Sequence, residues 1–248
     1  MNPEEYSNLA RIEKEHWFYK GKREIVKKWI QKLISLKPSD VVIDVGCGTG
    51  ILVEEINHQC CAIGIEPSSD GINMAVQFQR QKNIVGGSIL KLPIHSNSAA
   101  CVTALDVLEH IEDDESAFKE MARVVKPGGI IIVTVPAYQF LMNEWDESLG
   151  HFRRYTMTRL LKTTASAPVE VIHQTYMNSA LLLPIILYRM FRKIFPSPKN
   201  KRLEDVIPPA IINNFLFALF VKPAVSVFRI PFGLSVLLIL KKQPDNQQ

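Results

Sequence analysis

The feature that most constrains this chain is a short apolar run at 41–45, VVIDV, that opens directly into the glycine turn GCGTG at 46–50. The run is β-branched and bounded by Asp40 and Gly46, the pattern of a strand buried on both faces of a parallel sheet. Gly46, Gly48 and Gly50 let the backbone turn tightly and approach a ligand closely, and a helix over 50–57 follows. Asp44, just before the turn, is placed to accept from an ammonium group. A diphosphate-binding dinucleotide turn would have its third glycine at 51, where this chain has Ile51.

Further apolar runs at 61–65, 84–85, 101–105 and 130–135 alternate with helical stretches at 69–81 and 114–125, the last ended by Lys126-Pro127-Gly128-Gly129. That alternation predicts an α/β, Rossmann-like, doubly wound sheet of seven mostly parallel strands, with ligands at the carboxyl ends of the strands. Glu66 ends the second strand, where a carboxylate can accept from two vicinal ribose hydroxyls. Upstream, Ile25, Val26, Trp29, Ile30, Leu33 and Ile34 fall at helical spacing across 22–36. Downstream come a long polar and aromatic connection at 136–156, a helix at 158–164, a strand near 169–174 and a last, antiparallel strand at 234–241. The chain therefore divides into an N-terminal helical cap (1–36), a core (37–177), an apolar helical insertion (178–230), the final core strand (231–242) and a disordered tail (243–248). With 248 residues, two independent domains would be cramped.

Composition adds exclusions. At 47% hydrophobic and 22% charged the chain is globular. Its net charge of +4 sits in short clusters such as Lys22-Arg23, Lys27-Lys28 and Lys199-Lys201-Arg202, so nucleic acid is not expected as a partner. The first 26 residues have no apolar core of signal-peptide length, and the four cysteines have neither a disulfide pattern nor metal-ligand spacing. The expectation is a cytoplasmic protein with reduced thiols and no metal.

Chemistry beyond the glycine turn concentrates in the connection. His151, Arg153, Arg154 and Tyr155 put an imidazole, two guanidinium groups and a phenol within five residues. Guanidinium pairs suit a carboxylate or phosphate, which predicts an anionic acceptor held by Arg153, Arg154 and Tyr155. His151 is the candidate base, and His110 in the LEHI segment is the second. The segment 178–229 carries apolar clusters at 181–188 and 207–221, interrupted by Arg189, Arg192, Lys193, Lys222 and Arg229. No uncharged run reaches the roughly twenty residues that span a bilayer. A lid over the acceptor, a dimer surface and a peripheral contact with the inner face of the membrane all remain open.

On these residues the chain resembles the class I S-adenosylmethionine-dependent methyltransferases, most closely over 37–136 and through LPIHSNSAACVTALDVLEHIEDD and RVVKPGG. The resemblance implies cofactor contacts at Asp44, Gly46, Cys47, Gly48, Ile65 and Glu66, with Leu105 and Asp106 at the cofactor edge. Two departures stand out. Gly87-Ser88 occupies the place where many relatives carry an acid for the adenine amino group, so Ser88 or the backbone of Ile89 must substitute. Ala99-Ala100 stands where relatives commonly begin the fourth strand with Phe-Asp. A narrower likeness is to a bacterial subgroup with a Glu-His-Trp-Phe segment, here Glu15 to Phe18, and a Gly-His-x-Arg-Arg-Tyr segment, here Gly150 to Tyr155. The reaction implied is methyl transfer from S-adenosylmethionine to a small-molecule, sugar or lipid-linked acceptor, leaving S-adenosylhomocysteine. The competing classes are a non-catalytic cofactor-binding scaffold and a nicotinamide-dependent oxidoreductase.

Overall fold

In the computed structural model, residues 3–194 and 206–244 are described. The basic cluster at 199–202 and most of the tail expected at 243–248 lie outside the described residues. One sheet holds β1 (Val41–Val45), β2 (Cys61–Glu66), β3 (Ile84–Gly86), β4 (Ala99–Leu105), β5 (Val125–Pro136), β6 (Val169–Met177) and β7 (Ser235–Lys242). Their order is β3-β2-β1-β4-β5-β7-β6; the first five pair in parallel, and β7 runs antiparallel to both β5 and β6. The Rossmann-like sheet expected from the sequence is therefore present. Strand order reverses between β1 and β4, which puts the ligand crevice beyond their carboxyl ends.

The helices are α1 (Pro3–Ile12), α2 (Trp17–Leu33), α3 (Ile51–Ile56), α4 (Ser69–Gln77), α5 (Asp114–Val124), α6 (Glu144–Ser148), α7 (Met157–Thr164), α8 (Leu182–Ile194) and α9 (Ala210–Ala224). Because successive strand residues point to opposite faces, the apolar run of β5 supplies two cores. Ile131 and Val133 pack with Phe118 and Met121 of α5 and Leu160 of α7, while Ile130 and Ile132 pack with Ile25 and Trp29 of α2 and Phe220 and Val221 of α9. Each such side chain contributes about 1.5–3 kcal/mol on burial.

Three boundaries differ from expectation for local reasons. The helix expected over 69–81 ends at Gln77, because Gln79 takes φ +56° and a 3₁₀ turn, Gln81–Asn83, follows. The Lys-Pro-Gly-Gly run is the irregular start of β5, with Gly128 at φ +78° and a register shift against β4. The apolar insertion is partly core: α9 buries Phe220, Val221 and Ala224 against α2, and the indole of Trp29 donates to the Ala224 carbonyl at 3.0 Å. Gly21 permits this approach, since a Cβ there would lie 2.6 Å from Phe220 Cδ1. At the other end of α9, Asn213 accepts from the Trp17 amide at 2.9 Å and donates to the Glu15 carbonyl at 2.9 Å, capping α2. Among the described residues, no helix is long and apolar enough to cross a membrane.

Candidate functional site

β1 ends at Asp44 and Val45, and the glycine turn carries the chain under the end of β2. Gly46 and Cys47 donate their amides to the Ile65 carbonyl at 2.7 and 3.3 Å, which ties the turn to the neighbouring strand. Gly46 needs its glycine twice over: its φ is +67°, and a Cβ would meet Val107 at 2.6 Å. Gly48, at φ +56°, would bring a Cβ only to van der Waals contact with Leu9 Cδ2 at 3.8 Å, so its backbone conformation and not crowding favours glycine.

Two acids flank the turn. Asp44 is buried, and its Oδ1 accepts from the Thr103 hydroxyl at 2.6 Å. Burial first, and the charge of Glu66 after it, push the Asp44 carboxyl up to about 7. An ammonium group there would restore its charge. Glu66 is 2% exposed, and its carboxylate accepts from the Gly48 amide (2.8 Å), the Ser68 amide (3.0 Å) and the Tyr6 hydroxyl (2.9 Å). A buried carboxylate offers about four acceptor positions, so a diol would exchange with one of these donors. A cation-accepting acid, a glycine turn and a diol-accepting acid fit S-adenosylmethionine. The burial of Cys47 raises its thiol above the ordinary range and leaves the residue as part of the turn. Ser88 is exposed, with its Oγ accepting from the Leu90 amide at 3.2 Å, and Ile89 is buried.

The roof over this crevice was not legible in the sequence. α1 lies against α4, bringing Tyr6 onto Glu66, and buried Glu13 accepts from the Thr49 hydroxyl at 2.6 and 2.8 Å while pairing with Arg80 at 3.0 Å. Lys22 of α2 pairs with Asp106 at the end of β4 and sits 4.1 Å from the Phe18 ring centroid. Burial alone would raise the Asp106 carboxyl, but Lys22, the Thr134 hydroxyl and His151 together hold the group below the usual carboxylate range. Asp106 takes φ +56°, a strained conformation for a non-glycine residue and one that clusters at functional sites. The available signal was the Glu-His-Trp-Phe segment, whose His16 caps α2 by accepting from the Phe18 amide at 3.3 Å.

On the acceptor side the structure corrects the sequence reading. Tyr155 is fully buried, and its hydroxyl donates to Asp114 at 2.7 Å and to the Leu108 carbonyl at 3.2 Å. Such a phenol braces the connection. Arg153 pairs with Asp114 at 3.0 Å, and Arg154 pairs with buried Asp146 at 2.8 Å, so both guanidinium groups are neutralised inside the fold. His151 also contacts Asp146, with Nδ1 2.9 Å from Oδ1. His110 lies in the 3₁₀ turn Leu108–His110, 4.5 Å from the His151 ring between centroids. Burial first, then His151, push His110 down to about 4, which keeps it neutral at pH 7. Phe140, Trp145 and Phe152 stand exposed along the same connection.

Comparison with known proteins places these features. Residues 43–133 match the model of a family described as Methyltransferase domain. The ubiquinone biosynthesis O-methyltransferase of Coxiella burnetii is 27% identical over 141 residues, 52% of this chain and 60% of that protein. The chain spans 30–60% of the length of the curated relatives it matches. Among solved structures, a Haloferax volcanii methyltransferase in complex with the Trm112 methyltransferase activator superposes with a TM-score of 0.63 at 17% identity, covering 99% of both chains. Geranyl diphosphate C-methyltransferase from Streptomyces coelicolor A3(2), solved with S-adenosyl-L-homocysteine, has a TM-score of 0.57 at 13% identity and covers 88% of this chain and 79% of that one. These likenesses show a common fold.

Proposed function

We propose that this chain is a class I S-adenosylmethionine-dependent methyltransferase acting on an apolar or lipid-linked acceptor. The observation that carries the reading is the three-part constellation at the ends of β1 and β2: Asp44, the Gly46-to-Gly50 turn, and Glu66 with its carboxylate 2.8 Å from the Gly48 amide. The domain match over 43–133 covers all three parts. A nicotinamide enzyme fits less well, because Ile51 is buried at the start of α3 where that turn needs its third glycine.

S-adenosylmethionine supplies an already activated methyl group on a sulfonium, so the residues of this chain mainly bind, orient and exclude water. Asp44 holds the ammonium end and Glu66 the ribose, while the Tyr6, Glu13 and Lys22 contacts close the roof. Alignment of this kind supplies on the order of 7–11 kcal/mol. A positioned base adds roughly 10²–10⁴-fold where the acceptor must lose a proton.

An apolar acceptor is favoured over the anionic one read from Arg153 and Arg154, since both arginines are engaged inside the fold. Exposed Leu183, Leu187 and Phe191 of α8 add to the aromatic rim of Phe140, Trp145 and Phe152, and Arg189 of α8 donates to the Leu141 carbonyl, placing the helix beside that rim. The relative from Coxiella burnetii named for ubiquinone biosynthesis is consistent with an apolar acceptor. The Gly-His-x-Arg-Arg-Tyr segment of the connection and the Glu-His-Trp-Phe segment that caps α2 support placing the chain in the bacterial subgroup it resembles. The test is incubation of the chain with methyl-labelled S-adenosylmethionine and fractionated extracts. Label in a lipid or apolar fraction supports the proposal; label confined to polar fractions overturns the acceptor class. Tight cofactor binding with no label transferred to any fraction would favour a scaffold.

A further inference from the structure

At the carboxyl end of β4, the turn Leu108–His110 and the connection after β5 bring Glu109, His110 and His151 together, with one ligand atom from each within 4.8 Å of the others. The Phe152 amide donates to the Glu109 carbonyl at 2.7 Å and docks one segment on the other.

Glu109 is the anomaly in this cluster. It is fully buried, and neither carboxylate oxygen has a hydrogen-bond partner among the described residues. The neighbouring acids are each matched by a cation: Asp106 by Lys22, Asp114 by Arg153 and Asp146 by Arg154. A carboxylate buried without a partner is costly and rare in native folds. The two imidazoles have the opposite character, because both are held by a second group. His151 Nδ1 is engaged by Asp146 at 2.9 Å, and the His110 ring hydrogen-bonds the Gly150 backbone. Histidines that bind metals almost always use their second nitrogen on a carboxylate or a carbonyl in this way, which fixes the ring and frees the other nitrogen. The rings meet edge to face at 83°.

We propose that Glu109, His110 and His151 bind a divalent first-row transition metal ion. Two imidazoles and one carboxylate suit zinc, cobalt(II), iron(II) or manganese(II) better than calcium or magnesium, which prefer all-oxygen shells. Small side-chain rotations would bring the three ligand atoms to the roughly 2.0–2.2 Å that such ions require. Three protein ligands leave further positions for water or for an oxygen of the acceptor. The metal supplies the positive charge that Glu109 lacks. That an acceptor oxygen joins it rests on the methyltransferase reading; the metal site does not.

The test uses the full chain without a histidine tag, in a Cys61→Ser background that removes the exposed thiol as a competing ligand. After chelator dialysis, cobalt(II) chloride is titrated and followed by visible ligand-field absorption and by calorimetry. One equivalent should bind. His110→Ala, His151→Ala and Glu109→Gln should each weaken binding by roughly 100-fold or more, and Asp146→Asn by roughly 10–100-fold. Circular dichroism and a thermal melt check each variant, and the half-buried His110 keeps the test decisive if Glu109→Gln does not fold. Absence of stoichiometric binding, or equal binding by His110→Ala and His151→Ala, overturns the proposal and leaves Glu109 as a buried neutral acid only. S-adenosylmethionine affinity, measured on the same samples without cobalt, reports on the cofactor reading separately.

Discussion

The two halves of the crevice are built on different logics. On the side of the glycine turn, Asp44, the turn and Glu66 lie within one strand-turn-helix-strand unit, and their carboxylates are held by nearby groups such as Thr103, Gly48 and Ser68. Along the connection, Arg153, Arg154 and Tyr155 are spent on Asp114 and Asp146, while Phe140, Trp145 and Phe152 are exposed. The first half, proposed as the cofactor surface, is held by local geometry. The second is a scaffold held by long-range ion pairs, and its outer face is apolar.

The sharpest way to break this contrast is at Asp146, which is 3% exposed and holds both Arg154 and His151. If the connection is a scaffold, Asp146→Ala should lower unfolding free energy by about 3–5 kcal/mol, as expected when one partner of a buried pair is lost. Chemical denaturation measures it. A stable variant with only a raised acceptor Michaelis constant would return the arginines to the substrate.

Glu66→Ala should do the reverse, weakening S-adenosylmethionine binding by about 1.5–3 kcal/mol, the scale of hydrogen bonds to a charged group. Calorimetry on the folded variant decides whether this half is a binding surface, and unchanged affinity would remove Glu66 from the site.

A third prediction uses pH. Burial pushes the Asp44 carboxyl from the ordinary 3.8 up to about 7, so the cofactor-free fold favours the neutral acid. Its contribution to stability is full below pH 4 and is lost as pH rises through 7. A bound ammonium favours the ionised form instead, so cofactor affinity should climb by up to about tenfold per pH unit between 5 and 7 and level off above. Asp44→Asn should flatten both profiles, in thermal melts and in calorimetry. A wild-type affinity independent of pH over that range would mean that Asp44 does not meet the ammonium.

The smallest expected effect lies on the outer apolar face. Ile211, Phe215 and Phe228 are 86, 65 and 78% exposed, beside basic residues such as Lys222 and Arg229. Liposome flotation should show modest retention on anionic vesicles, reduced on neutral ones and released by high salt. A chain that stays unbound with both lipids would leave the apolar face to the acceptor or to a second copy.

Most of the core was legible because apolar periodicity and glycine punctuation are local signals. Element edges shifted where a single backbone conformation intervened, at Gln79 after α4 and at Gly128 in β5. The pairing of Arg154 with Asp146 was harder to read. Charge shows in a sequence, but whether a guanidinium faces solvent or a buried acid depends on how the connection folds back. Tyr155 misled for the same reason, since a phenol in a polar segment reads as a contact until its burial is known.

The sequence by itself determined the class of fold and the glycine turn after β1, because β-branched runs and left-handed glycines admit few other backbones. Tertiary structure alone decided that α9 completes the core against Gly21, that Tyr6 and Lys22 close over Glu66 and Asp106, and that Glu109 meets two histidines. Those contacts join residues far apart in the chain. Their energies come from burial and charge pairing, which exist only once the sheet has brought the segments together.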